Sequence, residues 1–174
     1  MAKQDEFLRF EITNTQRENA TARHKEIGTL GGEQTKHFED QRAKFGYLGE
    51  ELFHAAFPKA VRLDGDRNAD FELDGYRIEI KTRSYITTKP IYEWTPYSQS
   101  KNIQLADLFV FVMVHQHMER GFIAGWLTRA EVIAKAEAVR AGDLCRESHD
   151  KRYLFDGYRI TSDMLHPFDK EKLK

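Results

Sequence analysis

The chain has 174 residues, of which 40% are hydrophobic and 32% charged, and its formal net charge is −1. This composition is typical of one soluble globular domain, and it excludes a protein that binds nucleic acid through overall positive charge. The sequence contains neither an apolar run of membrane length nor a signal-like start, and Cys145 is its single cysteine. We therefore expect a cytoplasmic protein without membrane contacts or an internal disulfide.

Residues 1–40 are predicted to form a polar arm, partly helical, ahead of a single α/β domain at residues 41–174. Between Thr13 and Glu26 almost no residue is apolar, and an isolated helix of this kind is marginal in water. The arm is expected to pack on a partner subunit, to lie along nucleic acid or to stay solvated. The glycines at residues 28–32 lack the Gly-Lys-Ser/Thr triplet of a P-loop, so no nucleotide cofactor is expected.

A helix is predicted over residues 33–57, because apolar residues recur there at helical spacing. On a helical wheel Glu50 and Glu51 flank the apolar stripe on opposite sides, so the wheel lets either one face a neighbouring strand. Gly46 and Gly49 lie beside the stripe, where the missing side chains allow another backbone to approach closely. A short strand is predicted to follow the helix.

The alternating residues around Asp74-Gly75 predict a β-hairpin with a two-residue type I′ turn. The register of that hairpin sets Asp70 opposite Glu79 and directs both, with Lys81, to one charged face. Two facing carboxylates are destabilising unless they are neutralised, and oxygen ligands favour Mg²⁺ or Mn²⁺. Lys81 is then suited to orient or deprotonate a water, or to stabilise charge on a phosphate.

Residues 84–101 have no clear period, and aromatic side chains alternate there with cations. This pattern suits nucleic-acid contact, and equally a loop that covers the edge of a core. The candidate substrate contacts are Arg83, Lys89, Trp94, Lys101 and Gln104.

Residues 106–114, ADLFVFVMV, predict a central strand that is buried on both faces. A further strand is predicted at residues 122–127, and a helix at residues 128–141 whose capping box is completed by Glu131. Residues 153–161 predict a second hairpin, because the DGYRI string of the first hairpin recurs there. The second hairpin has no counterpart of Glu79 and Lys81, because Thr161 and Asp163 stand at the matching positions.

The sequence gives weaker support for a zinc site or for a serine nucleophile. His115 with His117, and Cys145 with His149, have side chains that bind zinc, but neither pair has the spacing of a four-ligand site. No Gly-x-Ser-x-Gly string indicates a serine nucleophile.

Three strings occur in order along the chain: GYLGE at residues 46–50, then Asp70, then Glu79-Ile80-Lys81, with the apolar strand from Ala106 behind them. In this order they resemble the PD-(D/E)xK nuclease superfamily, which includes restriction enzymes, Holliday-junction resolvases and phage nucleases. The resemblance spans residues 45–114, and alanine stands where the superfamily's name has proline. It implies a mixed central β-sheet flanked by helices, with a restriction endonuclease-like core.

By this resemblance Asp70 and Glu79 are metal ligands, assisted by the Ile80 backbone carbonyl, and Glu50 is an accessory ligand. Lys81 serves the attacking water. The implied protein is a Mg²⁺-dependent endonuclease that hydrolyses phosphodiester bonds in DNA, with Mn²⁺ as a substitute and a homodimer if both strands are cut.

Two alternatives stay open. One is a nuclease-like fold that binds DNA or assembles without catalysis. The other is an acidic patch that binds a protein partner, which a large separation of Glu50 from Asp70 and Glu79 would favour.

Overall fold

The computed structural model describes residues 7–28, 38–64, 66, 68–88, 91–94, 105–144, 152–153 and 156–168. In chain order the helices and strands are β1 (Leu8–Glu11), α1 (Asn14–Gly28), α2 (Phe38–Ala56), β2 (Val61–Arg62), β3 (Phe71–Leu73), β4 (Tyr76–Tyr85), β5 (Glu93–Trp94), β6 (Leu108–His115), β7 (Arg120–Thr128), α3 (Arg129–Lys135), β8 (Glu137–Val139) and β9 (Gly157–Thr161).

Six strands form a mixed sheet in the order β1-β7-β6-β4-β3-β2. Strand β6 lies at its centre, parallel to β4 and antiparallel to β7. Its side chains alternate between two cores, with Val112 on one face and Phe111 on the other, both fully buried. The predictions of an α/β fold and of a central strand buried on both faces are confirmed.

The two faces of this sheet are covered differently. Helices α1 and α2 cover one face, where Leu48 and Leu52 pack on the sheet. The other face is covered by the short helix α3 and by a three-stranded sheet in the order β5-β9-β8, from which Trp94 and Ile160 reach into the second core. Helices therefore flank the sheet mainly on one side. None of the described helices is long and apolar enough to cross a membrane.

The described part of the N-terminal arm belongs to the fold, which corrects the expectation of a separate arm. Strand β1 pairs with β7, and α1 packs on α2. The apolar contact of α1 is small, with Ala20 only 1% exposed in the first core. Much of its attachment is polar, as in the 2.9 Å hydrogen bond from Arg17 to the Met118 carbonyl. Hydrophobic periodicity cannot reveal a helix that is attached in this way.

The first hairpin has the predicted turn and register. Asp74 and Gly75 both have positive φ, at 52° and 82°, as a type I′ turn requires. Leu73 pairs with Tyr76, and the register continues along β3 and β4 as expected.

The second Asp-Gly string behaves differently, so the predicted second hairpin is wrong. Gly157 begins β9 and pairs with Val139 in β8, while the Asp156 carboxylate accepts a hydrogen bond from the Ala141 amide. The capping box of α3 is confirmed, but α3 ends at Lys135 instead of continuing to residue 141. Pairing with distant strands overrides the local preference in both places.

Candidate functional site

Asp70 lies immediately before β3, beside the start of β4. Its amide donates to the Ile78 carbonyl at 2.8 Å, and its Oδ2 accepts a 2.7 Å hydrogen bond from the Ile80 amide. The Ile80 amide thus donates to a side-chain oxygen, where a longer β3 would offer it a backbone carbonyl. Asp70 and Glu79 do not form the predicted ladder pair, yet their charges interact, as the pKa of Asp70 indicates.

The pKa of Asp70 is raised to about 6, mainly by burial and next by the negative charge of Glu79. The hydrogen bond from Ile80 and the charges of Lys81 and Arg23 act in the opposite direction. Asp70 is therefore held in a place where its ionised form is disfavoured unless positive charge is near.

Glu79 and Lys81 project from β4 and form an ion pair. Lys81 Nζ lies 2.7 Å from Glu79 Oε1, and Glu79 is 7% exposed. The predicted placement of these two residues on one face of the strand is consistent with this contact.

Helix α2 reaches the site because Gly49 lets it approach β4 closely. A Cβ atom at Gly49 would lie 1.8 Å from Thr82 Oγ1 and 2.9 Å from Thr82 Cβ. Gly46, the other glycine beside the stripe, has nothing within 4 Å of such an atom. Close contact at Gly49 positions the next residue, Glu50, toward the carboxylates of the hairpin.

Burial, followed by the charge of Asp70, raises the pKa of Glu50 to about 8, and the charge of Glu79 adds to this effect. Arg23 and Arg62 lower it. Glu50 is therefore close enough to both hairpin carboxylates for their charges to interact. The large separation that would favour the acidic-patch interpretation is therefore not seen for Glu50.

Two arginines complete the cluster, and sequence analysis missed both. Arg62 in β2 bridges the helix carboxylates, binding Glu50 at 3.0 Å and also Glu51. Arg23 in α1 lies 3.5 Å from Glu50 and 2.8 Å from Asp64. Neither arginine belongs to a recognisable motif, so only the packing of α1 and β2 against α2 could reveal them.

Among the described residues, this cluster has more negative than positive side chains. Its members are the carboxylates Glu50, Glu51, Asp64, Asp70 and Glu79 and the cations Arg23, Arg62 and Lys81. Five acids and three bases leave an excess of two negative charges when all are ionised.

Within the described ranges, no three acidic, histidine or cysteine side chains are gathered tightly enough to hold a metal ion. Glu79 is paired with Lys81, and Glu50 with Arg62. Ile80, whose carbonyl was predicted as a ligand, meets the site through its amide.

The candidate substrate contacts lie in different environments. Trp94 is only 2% exposed and its indole donates to the Val112 carbonyl at 3.0 Å, so it is a core residue and the prediction for it is wrong. Arg83 donates to the Glu93 carbonyl at 2.8 Å. The remaining candidates, Lys89, Lys101 and Gln104, lie outside the described residues.

Of the zinc candidates, His115 and His117 have ring centroids 5.2 Å apart at the end of β6. His115 is buried and its Nε2 lies 3.2 Å from the Ile86 carbonyl. Cys145 and His149 lie outside the described residues.

No protein-family model matches this chain, and no curated protein matches its sequence. Its function is therefore inferred from the carboxylate cluster and the residues around it.

The raised pKa of Glu50 predicts a pH-dependent effect of Glu50→Gln. The pKa of this carboxyl rises from an ordinary 4.5 to about 8 in the folded protein, so between these values the folded state binds more protons than the unfolded state. The wild type should therefore lose stability relative to Glu50→Gln as the pH rises from 4.5 to 8. Arg62 and Arg23 retain Glu51 and Asp64 as partners in the variant.

We expect Glu50→Gln to be more stable than the wild type at pH 8.5, by on the order of 2 kcal/mol or about 4–8 °C in Tm. Thermal unfolding at pH 5 and pH 8.5 measures the difference. Glu51→Gln, which removes the neighbouring carboxylate bound to the same arginine, should show no such gain. Equal stability of Glu50→Gln and the wild type at both pH values would contradict the prediction.

Proposed function

We propose that the protein is a metal-dependent endodeoxyribonuclease, with Asp70, Glu79, Lys81 and Glu50 as its catalytic centre. One observation carries the proposal: three carboxylates from separate elements converge beside a lysine, and burial and mutual repulsion raise the pKa of two of them. Such an arrangement costs stability in the isolated fold. Ionisable groups with perturbed pKa values cluster at functional sites.

The donor set fits a hard divalent cation, because all of its side-chain donors are carboxylate oxygens and their charges repel one another. Asp70 and Glu79 would hold Mg²⁺ or Mn²⁺, with Glu50 as an accessory ligand and the Ile80 carbonyl as a backbone ligand. A cation bound there would polarise the scissile phosphate and lower the pKa of a bound water.

The protein's own groups must rearrange for this chemistry. Glu79 would release Lys81, and Glu50 would release Arg62, as each carboxylate turns to the cation. Lys81 Nζ, now 2.7 Å from Glu79 Oε1, would then donate to the attacking water or to a phosphate oxygen. Asp70 needs no such exchange, since its bond to the Ile80 amide uses one oxygen and leaves the other.

A cleavage panel tests the proposed function directly. The wild-type protein is incubated with linear duplex, single-stranded, flap and four-way-junction DNA, with Mg²⁺, with Mn²⁺ or with EDTA. We expect cleavage of at least one substrate that depends on the metal and stops with EDTA. Absence of cleavage of every substrate with either metal would overturn the proposal.

A second candidate function is a DNA-binding or assembly module without catalysis. Two ion pairs favour this alternative. Lys81 neutralises Glu79 and Arg62 neutralises Glu50, so these carboxylates need no cation. Calorimetric titration with Mn²⁺ separates the two functions. The nuclease should bind Mn²⁺ and lose that binding in Glu79→Gln, whereas the module should show no binding heat.

A further inference from the structure

Helix α1 brings a guanidinium to the edge of the carboxylate cluster. Arg23 Nη2 lies 3.5 Å from Glu50 and 2.8 Å from Asp64. The centre of its guanidinium lies 5.6 Å from the centroid of the Tyr47 ring, one helical turn before Glu50. Arg23 Nε is buried and has no hydrogen-bond partner among the described residues. Arg23 is thus held in the site with part of its donor edge unused.

The known contacts of Arg23 do not account for its position. Arg62 already binds Glu50 more closely, at 3.0 Å. The firmer partner of Arg23 is Asp64, whose side chain is 74% exposed, and an ion pair with so exposed a group contributes little to stability. A buried guanidinium donor without an acceptor is unfavourable. A ligand that accepts from Arg23 would relieve this cost.

The charge environment identifies the kind of ligand. Arg23 Nη2 lies 3.5 Å from the Glu50 carboxylate, so its guanidinium lies beside the centre where the scissile phosphate would lie. A planar guanidinium matches a phosphate group, to which it can donate two parallel hydrogen bonds. Tyr47 lies beside that guanidinium, in a cation–π contact of 5.6 Å.

We propose that Arg23 binds a backbone phosphate of the DNA strand beside the carboxylate cluster, and that Tyr47 positions it. In the absence of DNA, Glu50 and Asp64 hold the guanidinium in place, and the phosphate takes over from Asp64 when DNA binds. This inference rests on the proposed nuclease function, since it assigns the substrate phosphate to that same site.

The test measures DNA binding, which does not require cleavage. Binding of duplex DNA is measured over a range of salt concentrations in EDTA for the wild type, Arg23→Gln and Arg23→Lys. We expect Arg23→Gln to bind about tenfold more weakly, with a slope of log K against log salt lower by about one. Arg23→Lys should keep most of the slope but bind more weakly, because it lacks the planar fork. Arg140→Gln, which removes the same charge from an exposed arginine outside the cluster, should behave as the wild type.

Single methylphosphonate substitutions along one DNA strand then locate the contact. At one position the neutral group should weaken wild-type binding while leaving Arg23→Gln binding unchanged, because the contact is already lost. Wild-type affinity and salt slope in folded Arg23→Gln would overturn the inference, even if the wild type cleaves DNA. Failure of the wild type to bind DNA in EDTA would also overturn the inference, whereas the proposed function is overturned only by absence of cleavage in the panel with Mg²⁺ and Mn²⁺.

Discussion

Asp70→Asn should abolish metal-dependent DNA cleavage while the protein remains folded. The asparagine side chain retains an oxygen that can accept from the Ile80 amide, so the local hydrogen bond can persist. What is lost is the negative charge that would hold the cation. Burial and the charge of Glu79 already disfavour the ionised aspartate, raising its pKa to about 6, so the neutral residue should cost little stability. We expect the single-turnover cleavage rate to fall by about 10²–10⁴-fold.

Lys81→Gln should lose cleavage to a similar extent, since the amide can still donate to Glu79 but carries no charge. The controls are Asp163→Asn and Lys135→Gln, which make the same chemical changes outside the cluster and should cleave as the wild type. DNA affinity and the unfolding transition are measured for each variant. Full cleavage activity in Asp70→Asn or Lys81→Gln would exclude the assigned catalytic centre.

Gly49→Ala should destabilise the protein, although alanine favours helix more than glycine does. Its new methyl group would lie 1.8 Å from Thr82 Oγ1 and 2.9 Å from Thr82 Cβ, so a change of rotamer at Thr82 cannot remove the clash. The gain in helix propensity, up to about 1 kcal/mol, is smaller than the cost of overpacking, about 1–3 kcal/mol or more. We expect Tm to fall by roughly 3–8 °C. Displacement of α2 from β4 should also reduce DNA cleavage, because it moves Glu50.

Two further variants isolate the cause. Gly46→Ala makes the same change where no atom lies within 4 Å, so it should be neutral or slightly stabilising. Thr82→Ala should partly restore Gly49→Ala, because it removes the hydroxyl at 1.8 Å and the methyl group at 2.9 Å. The hydroxyl is buried without a partner among the described residues, so its loss should cost little. Equal stability of the two glycine variants would show that the close approach is unimportant.

Local patterns were sufficient for the centre of the sheet and for the first hairpin. The unbroken apolar run of β6 indicates a strand buried on both faces, and the Asp74-Gly75 turn determines the register of β3 and β4. Both signals are carried by neighbouring residues and need no knowledge of distant parts of the chain. The same DGYRI string failed at residues 156–160, because there pairing with β8 and β5 decides the backbone conformation.

The sequence by itself thus determined the α/β class, the register of β3 and β4, and the presence of Glu79 and Lys81 on one face of β4. Tertiary structure decided that α1 packs on α2, that the charge of Glu50 interacts with those of Asp70 and Glu79, and that Arg23 and Arg62 bind Glu50. The physical reason is that these contacts are polar and long-range. Their strength depends on burial and on the spacing of charges between separate elements, which neither periodicity nor motif spacing encodes.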